Sequence, residues 1–515
     1  MDRPARGREA VSEVLYQWFD AAARKFPDRT ALVIGDEEQT YAELEERALA
    51  LAAAITALPG GTPTRIALVT SKNFGAYAGW LAIQRVGAGV LPLNPQYPRD
   101  RNLDIAQRAG IKVALVEPGV DLFSTLPKRF RPTVIPLDAV GDGALPDIPD
   151  DPEREAYVLF TSGSTGQPKG VPILQRGIAP YIGYNIERYE VDSGSRLSQV
   201  FGLTFDASTF DMFVSWGAGA TLVVPDREDL YRPVDFIVRN RLTHWFSVPS
   251  VIRVAEQVGN LPRGRVTTVR HGVFGAEPVT VQDADMWHEV APDSAFHNVY
   301  GPTECTITCT EYRVPFADRD AWAGGATVPI GRVYPNTEGV ILGADGLPAD
   351  DGELCLRGPQ RFDGYLDPRE NVGRFVRYEE GSPAAVYDGS TPLTRDHWYR
   401  TGDRVRVEGR DLVHRGRMDH QVKIMGHRVE LGEVEAALFR HPDIVSAGVV
   451  AVTVAGETRL WAGYTGRPVP GPDLDRWLRD QVPLHMMPER VSHLDVLPLN
   501  DNGKTDRAKL TEVLR

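Results

Sequence analysis

Apolar positions in the first four hundred residues come in short runs, separated by stretches with helical spacing. Runs at 66–69, 113–116, 133–137, 157–160, 221–224 and 244–248 have the length of buried strands. Thr40 and Glu43 have capping-box spacing, in which a hydroxyl and a carboxylate satisfy each other's free amide hydrogens. They open an amphipathic helix that runs to Leu58. With a further helical stretch at 75–85, this alternation predicts an α/β region of layered sheets. Residues 360–420 are rich in Gly, Asp, Arg and Pro, and beyond them the pattern changes. A strand, a helix at 431–440, strands at 445–454 and 460–465 and a helix at 472–481 describe a compact α+β unit of ordinary domain size. The chain therefore divides into a large N-terminal domain, 1–418, and a small C-terminal domain, 419–515, with the boundary at Asp419.

Composition narrows the class. At 515 residues the chain is too long for one core, and 42% hydrophobic and 25% charged residues are ordinary for a globular enzyme. Net charge is −13, with no block of Lys and Arg, which argues against nucleic-acid and anionic-membrane partners. Cys305, Cys309 and Cys355 are too few for a disulfide framework or a structural zinc site. Free thiols, no apolar leader and no run approaching a membrane span point to a soluble protein of the reducing cytoplasm.

Candidate chemistry begins directly after the run at 157–160. Thr161, Ser162, Gly163, Ser164, Thr165 and Gly166 lead to Lys169 and Gly170. Small residues and hydroxyls let a loop close around phosphate with N–H and O–H donors, and Lys169 adds a positive charge. The spacing is not that of a P-loop, because Pro168 precedes the lysine and Gly170 follows it.

This segment resembles the phosphate-binding loop of the adenylate-forming superfamily, which contains acyl-CoA synthetases, luciferases and the adenylation domains of nonribosomal peptide synthetases. Further motifs follow in the family's order: 298–304, 399–403, 416–430 and 500–504. The resemblance implies a large layered α/β domain and a small mobile one, with ATP and a carboxylate giving an acyl-adenylate and pyrophosphate. That chemistry depends on positioning and charge neutralisation. By resemblance Glu304 holds Mg2+, Thr303 touches the α-phosphate, and Asn298 and Tyr300 hold adenine. Asp403 takes the ribose hydroxyls, with Arg428 nearby. Lys504 bridges the substrate carboxylate and the α-phosphate as the catalytic lysine. Asp419 is the hinge, and Lys423 lies on the hinge face that replaces Lys504 for thioester formation.

Phe205, Asp206, Ala207 and Ser208 are similar to the amino-acid branch's substrate segment, in which the Asp pairs with an α-ammonium. The branch's pocket then maps to Asp206, Ala207, Phe210, Ser247, Val273, Gly275, Val299, Ile307, Thr308 and Lys504. Apart from Asp206 and Lys504 this wall is uncharged, so a small to medium neutral amino acid is expected. No phosphopantetheine-serine motif follows Leu510, so the expected acceptor is the phosphopantetheine arm of a discrete carrier protein. An acyl- or aryl-CoA ligase and a non-catalytic nucleotide-binding relative stay open as alternatives. The chain departs from the family at Gln175, in place of a His, at Ala276, in place of a Gly, and at Met425. The stretch 364–398 is long and has no role legible in the sequence.

Overall fold

The computed structural model describes residues 13–163, 167–419, 421–454, 457–499 and 505–515. The capping box forms as expected: the Thr40 hydroxyl accepts from the Glu43 amide and the Glu43 carboxylate from the Thr40 amide, opening the helix Tyr41–Thr56. Asn73 caps the next helix, Phe74–Arg85, which is buried on nearly every side because it lies between sheets.

Two large sheets follow from the apolar runs. One orders its strands Thr133–Pro136, Val113–Val116, Arg65–Val69, Gly89–Leu93, Glu155–Thr161 and Lys169–Leu174. All pairs are parallel except the last, where the chain returns antiparallel with Thr161 opposite Lys169. The phosphate-loop segment is thus the turn of a hairpin, a return strand that the sequence pattern did not disclose. The second sheet has parallel strands Thr30–Ile34, Thr221–Val224, Arg196–Ser198, His244–Ser247, His271–Gly275 and Ala295–Tyr300 at its centre, with antiparallel strands at both edges. Their shared core is filled by large aromatic side chains, including Trp80, Tyr157, Phe213 and Trp216. A third, antiparallel sheet carries Asp351–Arg357, Trp398–Glu408 and Asp411–Arg417.

Beyond Asp419 a hairpin, Gln421–Ile424 with His427–Glu430, precedes the helix Leu431–Phe439 and a three-stranded sheet of Ile444–Val454, Glu457–Gly466 and Arg490–His493. This part has its own core, built on Val434, Leu438, Val449, Leu460, Leu474 and Leu478. No helix among the described residues is long and apolar enough to cross a membrane.

Candidate active site

The hairpin beyond Asp419 folds back onto the large part of the chain and closes one side of a cavity of about 490 Å3. That volume is in the range of small-molecule sites. Thr161, Ser162, Asp206, Ala207, Val299, Tyr300, Thr303, Ile307, Thr308 and Asp403 line it from the large part; Lys423, His427 and Arg428 line it from the hairpin.

Local geometry explains these positions. An added Cβ on Gly163 would overlap the Gln167 carbonyl oxygen, so the loop closes there only because the residue is glycine. Gly301 lets the segment 301–308 double back, since a Cβ would lie 2.5 Å from the Ile307 carbonyl oxygen. The same segment holds Thr306 and Ile307 at φ of 58° and 68°, a left-handed backbone that a β-branched residue adopts only under constraint. Thr303, Glu304 and Ile307 are thereby fixed on one tight loop after the strand Ala295–Tyr300.

Asp403 accepts three hydrogen bonds or ion-pair contacts: from the Tyr300 hydroxyl at 2.6 Å, from His414 Nε2 at 3.0 Å and from Arg417 Nη1 at 3.1 Å. Burial pushes its carboxyl up, but His414 and Arg417 outweigh burial and hold it well below the usual range. It stays ionised with both oxygens oriented. Asn298 donates both amide hydrogens to backbone, to the Val328 and Pro329 carbonyls at 3.1 and 2.8 Å. Its side-chain oxygen is the group left for a ligand.

The resemblance puts Arg428 beside the ribose carboxylate; in this structure it pairs with a different carboxylate. Arg417 is the arginine on Asp403, whereas Arg428 Nη1 lies 3.0 and 3.1 Å from the two oxygens of Glu304. Glu304 has no exposed surface and also accepts from the Tyr365 hydroxyl at 2.7 Å. Its burial raises the carboxyl pKa, and Arg428 with Tyr365 brings it net below the ordinary value. A buried, ionised carboxylate fits one ligand of a Mg2+ ion whose other ligands are phosphate and water, the usual arrangement for that ion. No cluster of three acidic, His or Cys groups that would cage a metal unaided occurs among the described residues.

Asp206 stands at the start of the helix Ala207–Gly217 and is buried, with its carboxyl pKa raised by desolvation against the opposing pull of Thr303, the Ala207 amide and Lys423. The half-buried Lys423 ammonium has its pKa lowered by desolvation, against the opposing pull of Asp403 and a smaller one from Asp206. Asp419, just before the hairpin, takes both Arg417 nitrogens at 2.9 and 2.7 Å. Lys169 starts the return strand and is nearly buried, 3.9 Å from Glu370.

Of the predicted pocket wall, Asp206, Ala207, Val299, Ile307 and Thr308 line the cavity. Ser247 does not. In a strand successive side chains face opposite ways, and Ser247 faces away with Trp245, whose Nε1 donates to its hydroxyl at 2.9 Å. The cavity wall on this strand is Phe246. Phe210 and Val273 lie behind Phe246, beside a separate void of about 10 Å3. Gly275 sits within the sheet, where a Cβ would come 2.6 Å from the Val299 carbonyl oxygen. Thr308 is tied to two hydroxyls that the sequence did not flag, Tyr181 at 2.7 Å and Tyr334 at 2.9 Å. Ser164, Thr165, Gly166 and Lys504 lie outside the described residues. His414, Arg417 and Tyr365 are further additions. Arg417 alone had a signal in the sequence, within the motif at 416–430.

Comparison with known proteins agrees with this geometry. The family model for AMP-binding enzymes matches residues 19–366, and that for the AMP-binding enzyme C-terminal domain matches 433–504. Phosphinothricin tripeptide synthetase PhsC of Streptomyces viridochromogenes is 34% identical over 97% of this chain, which spans 45% of that relative's length. The L-proline–[L-prolyl-carrier protein] ligase of Pseudomonas fluorescens is 29% identical over 97% of this chain and 99% of its own. Among solved structures, the Vibrio cholerae adenylation domain AlmE, in complex with glycyl-adenosine-5'-phosphate, aligns with a TM-score of 0.80 at 26% identity, covering 99% of both chains. IdnL7 aligns with a TM-score of 0.70 at 35% identity, covering 98% of this chain and 99% of its own. The tight loop around Glu304, the ionised Asp403 and the phosphate-loop hairpin are those of a protein that belongs to the AMP-binding, adenylate-forming enzyme family.

Proposed function

We propose that the protein activates a small to medium neutral amino acid as its aminoacyl-adenylate and passes it to the phosphopantetheine thiol of a separate carrier protein in the cytoplasm. The observation that carries this reading is Asp206, a buried carboxylate in the cavity that also holds Tyr300, Asp403 and the start of the phosphate loop. An uncompensated buried carboxylate is unfavourable, and a substrate ammonium supplies the missing charge. The carrier-protein ligase and the glycyl-adenylate complex among the relatives support the same reaction class.

ATP, with Mg2+, supplies the α-phosphorus that the amino-acid carboxylate attacks and the pyrophosphate that leaves. Asp403 receives the ribose hydroxyls while Tyr300 and the Asn298 oxygen hold adenine. Thr161 to Gly166 and Lys169 hold the polyphosphate, and Glu304 is the residue for the metal. Phe246, Val299 and Ile307 make the side-chain pocket apolar, which disfavours charged side chains. Lys504 neutralises the charge that builds between carboxylate and phosphate. Asp419 is the pivot between domains 1–418 and 419–515. In the arrangement described here the hinge face, with Lys423, occupies the cavity rim.

Hydroxylamine trapping of the adenylate across α-amino acids, β-amino acids and simple carboxylic acids tests the proposal. Turnover confined to small neutral amino acids is the expected result. Turnover only with acids that lack an amino group overturns the role of Asp206.

A further inference from the structure

Glu304 does not itself line the cavity; Arg428, which does, is bonded to both of its oxygens. The guanidinium is delivered there by several contacts of the hairpin. Ser162 Oγ donates to the Arg428 carbonyl at 2.8 Å, and Arg428 Nε donates to Gln421 Oε1 at 2.9 Å. The Gly426 amide donates to Glu277 Oε1 at 2.7 Å. His427 stacks on His485 at 3.8 Å with planes 8° apart, and Phe205 meets its edge at 5.0 Å.

A carboxylate without exposed surface requires a cation, because leaving it unpaired is strongly unfavourable. A guanidinium and a divalent ion both meet that requirement, yet they cannot meet it together. Arg428 already engages both oxygens, and a second cation beside it would be repelled at short range in a low-dielectric site. We infer that Arg428 is a stand-in for the divalent cation on Glu304, so that the docked hairpin and a metal-loaded site exclude one another. The inference rests on the reading of Glu304 as the metal residue. It gives the hairpin a reason to leave when the metal–nucleotide complex enters and a place to return when it departs. The exchange is one of ion pairs alone, with no covalent step.

The test is equilibrium binding of Mn2+ with a non-hydrolysable ATP analogue to the full chain, followed by electron paramagnetic resonance and by calorimetry. Arg428→Gln, Glu304→Gln and the double variant are compared with the parent, each first shown to keep the parent's circular dichroism spectrum. Removing the competitor should tighten metal–nucleotide binding at least tenfold in Arg428→Gln. The same variant should bind the analogue as the parent does when the metal is chelated. The double variant should lose the gain, and Arg428→Lys, which restores a cation, should recover part of the competition. Weaker or unchanged metal–nucleotide binding in Arg428→Gln overturns the inference, as does weaker metal-free binding, which would mean that Arg428 touches the nucleotide. Metal binding untouched by Glu304→Gln overturns the metal reading itself and the inference with it.

Discussion

Phe246 and Ser247 are adjacent on one strand, and exchanging their assigned roles gives opposite expectations for substrate selection. Phe246 meets Phe201 edge-on at 4.9 Å and Phe210 at 5.1 Å, and it separates the main cavity from the void beside Val273 and Phe210. Phe246→Ala removes the ring from that partition and joins the two spaces. Truncating a well-packed Phe typically costs about 3–5 kcal/mol of stability, so the variant is measured below its own lowered denaturation midpoint, beside the milder Phe246→Leu. Each extra methylene that the enlarged pocket buries is worth about 1–3 kcal/mol in kcat/KM, or roughly 10–200-fold. Selectivity should therefore move from small side chains to longer or aromatic ones. Ser247→Ala leaves the buried Trp245 Nε1–H without its acceptor, about 1–3 kcal/mol of stability, on the far side of the sheet. It should leave the order of preferred substrates unchanged. Amino-acid-dependent pyrophosphate exchange over a panel of side-chain lengths measures both. A profile that shifts as far for Ser247→Ala as for Phe246→Ala, or a folded Phe246→Ala with the parent's profile, refutes the assignment.

Three other outcomes follow from the geometry. Lys169 Nζ has no hydrogen bond to another described residue and has Glu370 at 3.9 Å as counter-charge; Glu370→Gln removes an anion that competes with polyphosphate for the ammonium, so it should lower the KM for ATP roughly tenfold (about 1.4 kcal/mol) and leave the amino-acid KM unmoved, as initial-rate kinetics would show. Ala276 is held at φ 65°, so Ala276→Gly should raise stability by about 0.5–1 kcal/mol, the left-handed penalty less the extra chain entropy of glycine, read from the denaturant midpoint. Burial lowers His427 and His485 from 6.5 to about 4 and about 2, so the docked hairpin favours both rings neutral. That contribution is complete above pH 6.5 and is lost as pH falls toward 4; small-angle scattering at pH 8 and pH 5 should show the small domain released at the lower pH.

Local signals in the sequence were strong wherever a motif and its backbone coincide. The capping box at Thr40 and the apolar strand at 113–116 need only neighbours in sequence, and they stand as read. What escaped the sequence depends on partners far along the chain. Gln175 was marked as a departure near the phosphate loop, yet it is buried away from the cavity, accepting from the Leu15 amide and donating to Gln84 at 2.7 Å. It joins the first helix to the helix Phe74–Arg85, which no local pattern reveals. The long stretch at 364–398 looked featureless, but its first residues bring Tyr365 to Glu304 and Glu370 to Lys169.

Arg428 shows why such residues are hard to assign. Its place in the hinge motif fixes that it is an arginine on a hairpin, and the approach of that hairpin to the large domain decides which carboxylate it meets. Asp403 and Glu304 are both buried acids brought below their ordinary pKa, Asp403 by His414 and Arg417, Glu304 by Arg428 and Tyr365. Arg417 precedes Asp419, lies on the large-domain side of the proposed pivot, and stays with Asp403 through a strand pairing in which the two residues are opposite. Arg428 follows the pivot and reaches Glu304 only because Ser162, Glu277 and Phe205 receive the hairpin. Rotation about Asp419 would leave the first pair intact and break the second. On the proposed pivot, Asp403 therefore keeps its partner through the rotation, and Glu304 is the carboxylate whose partner changes.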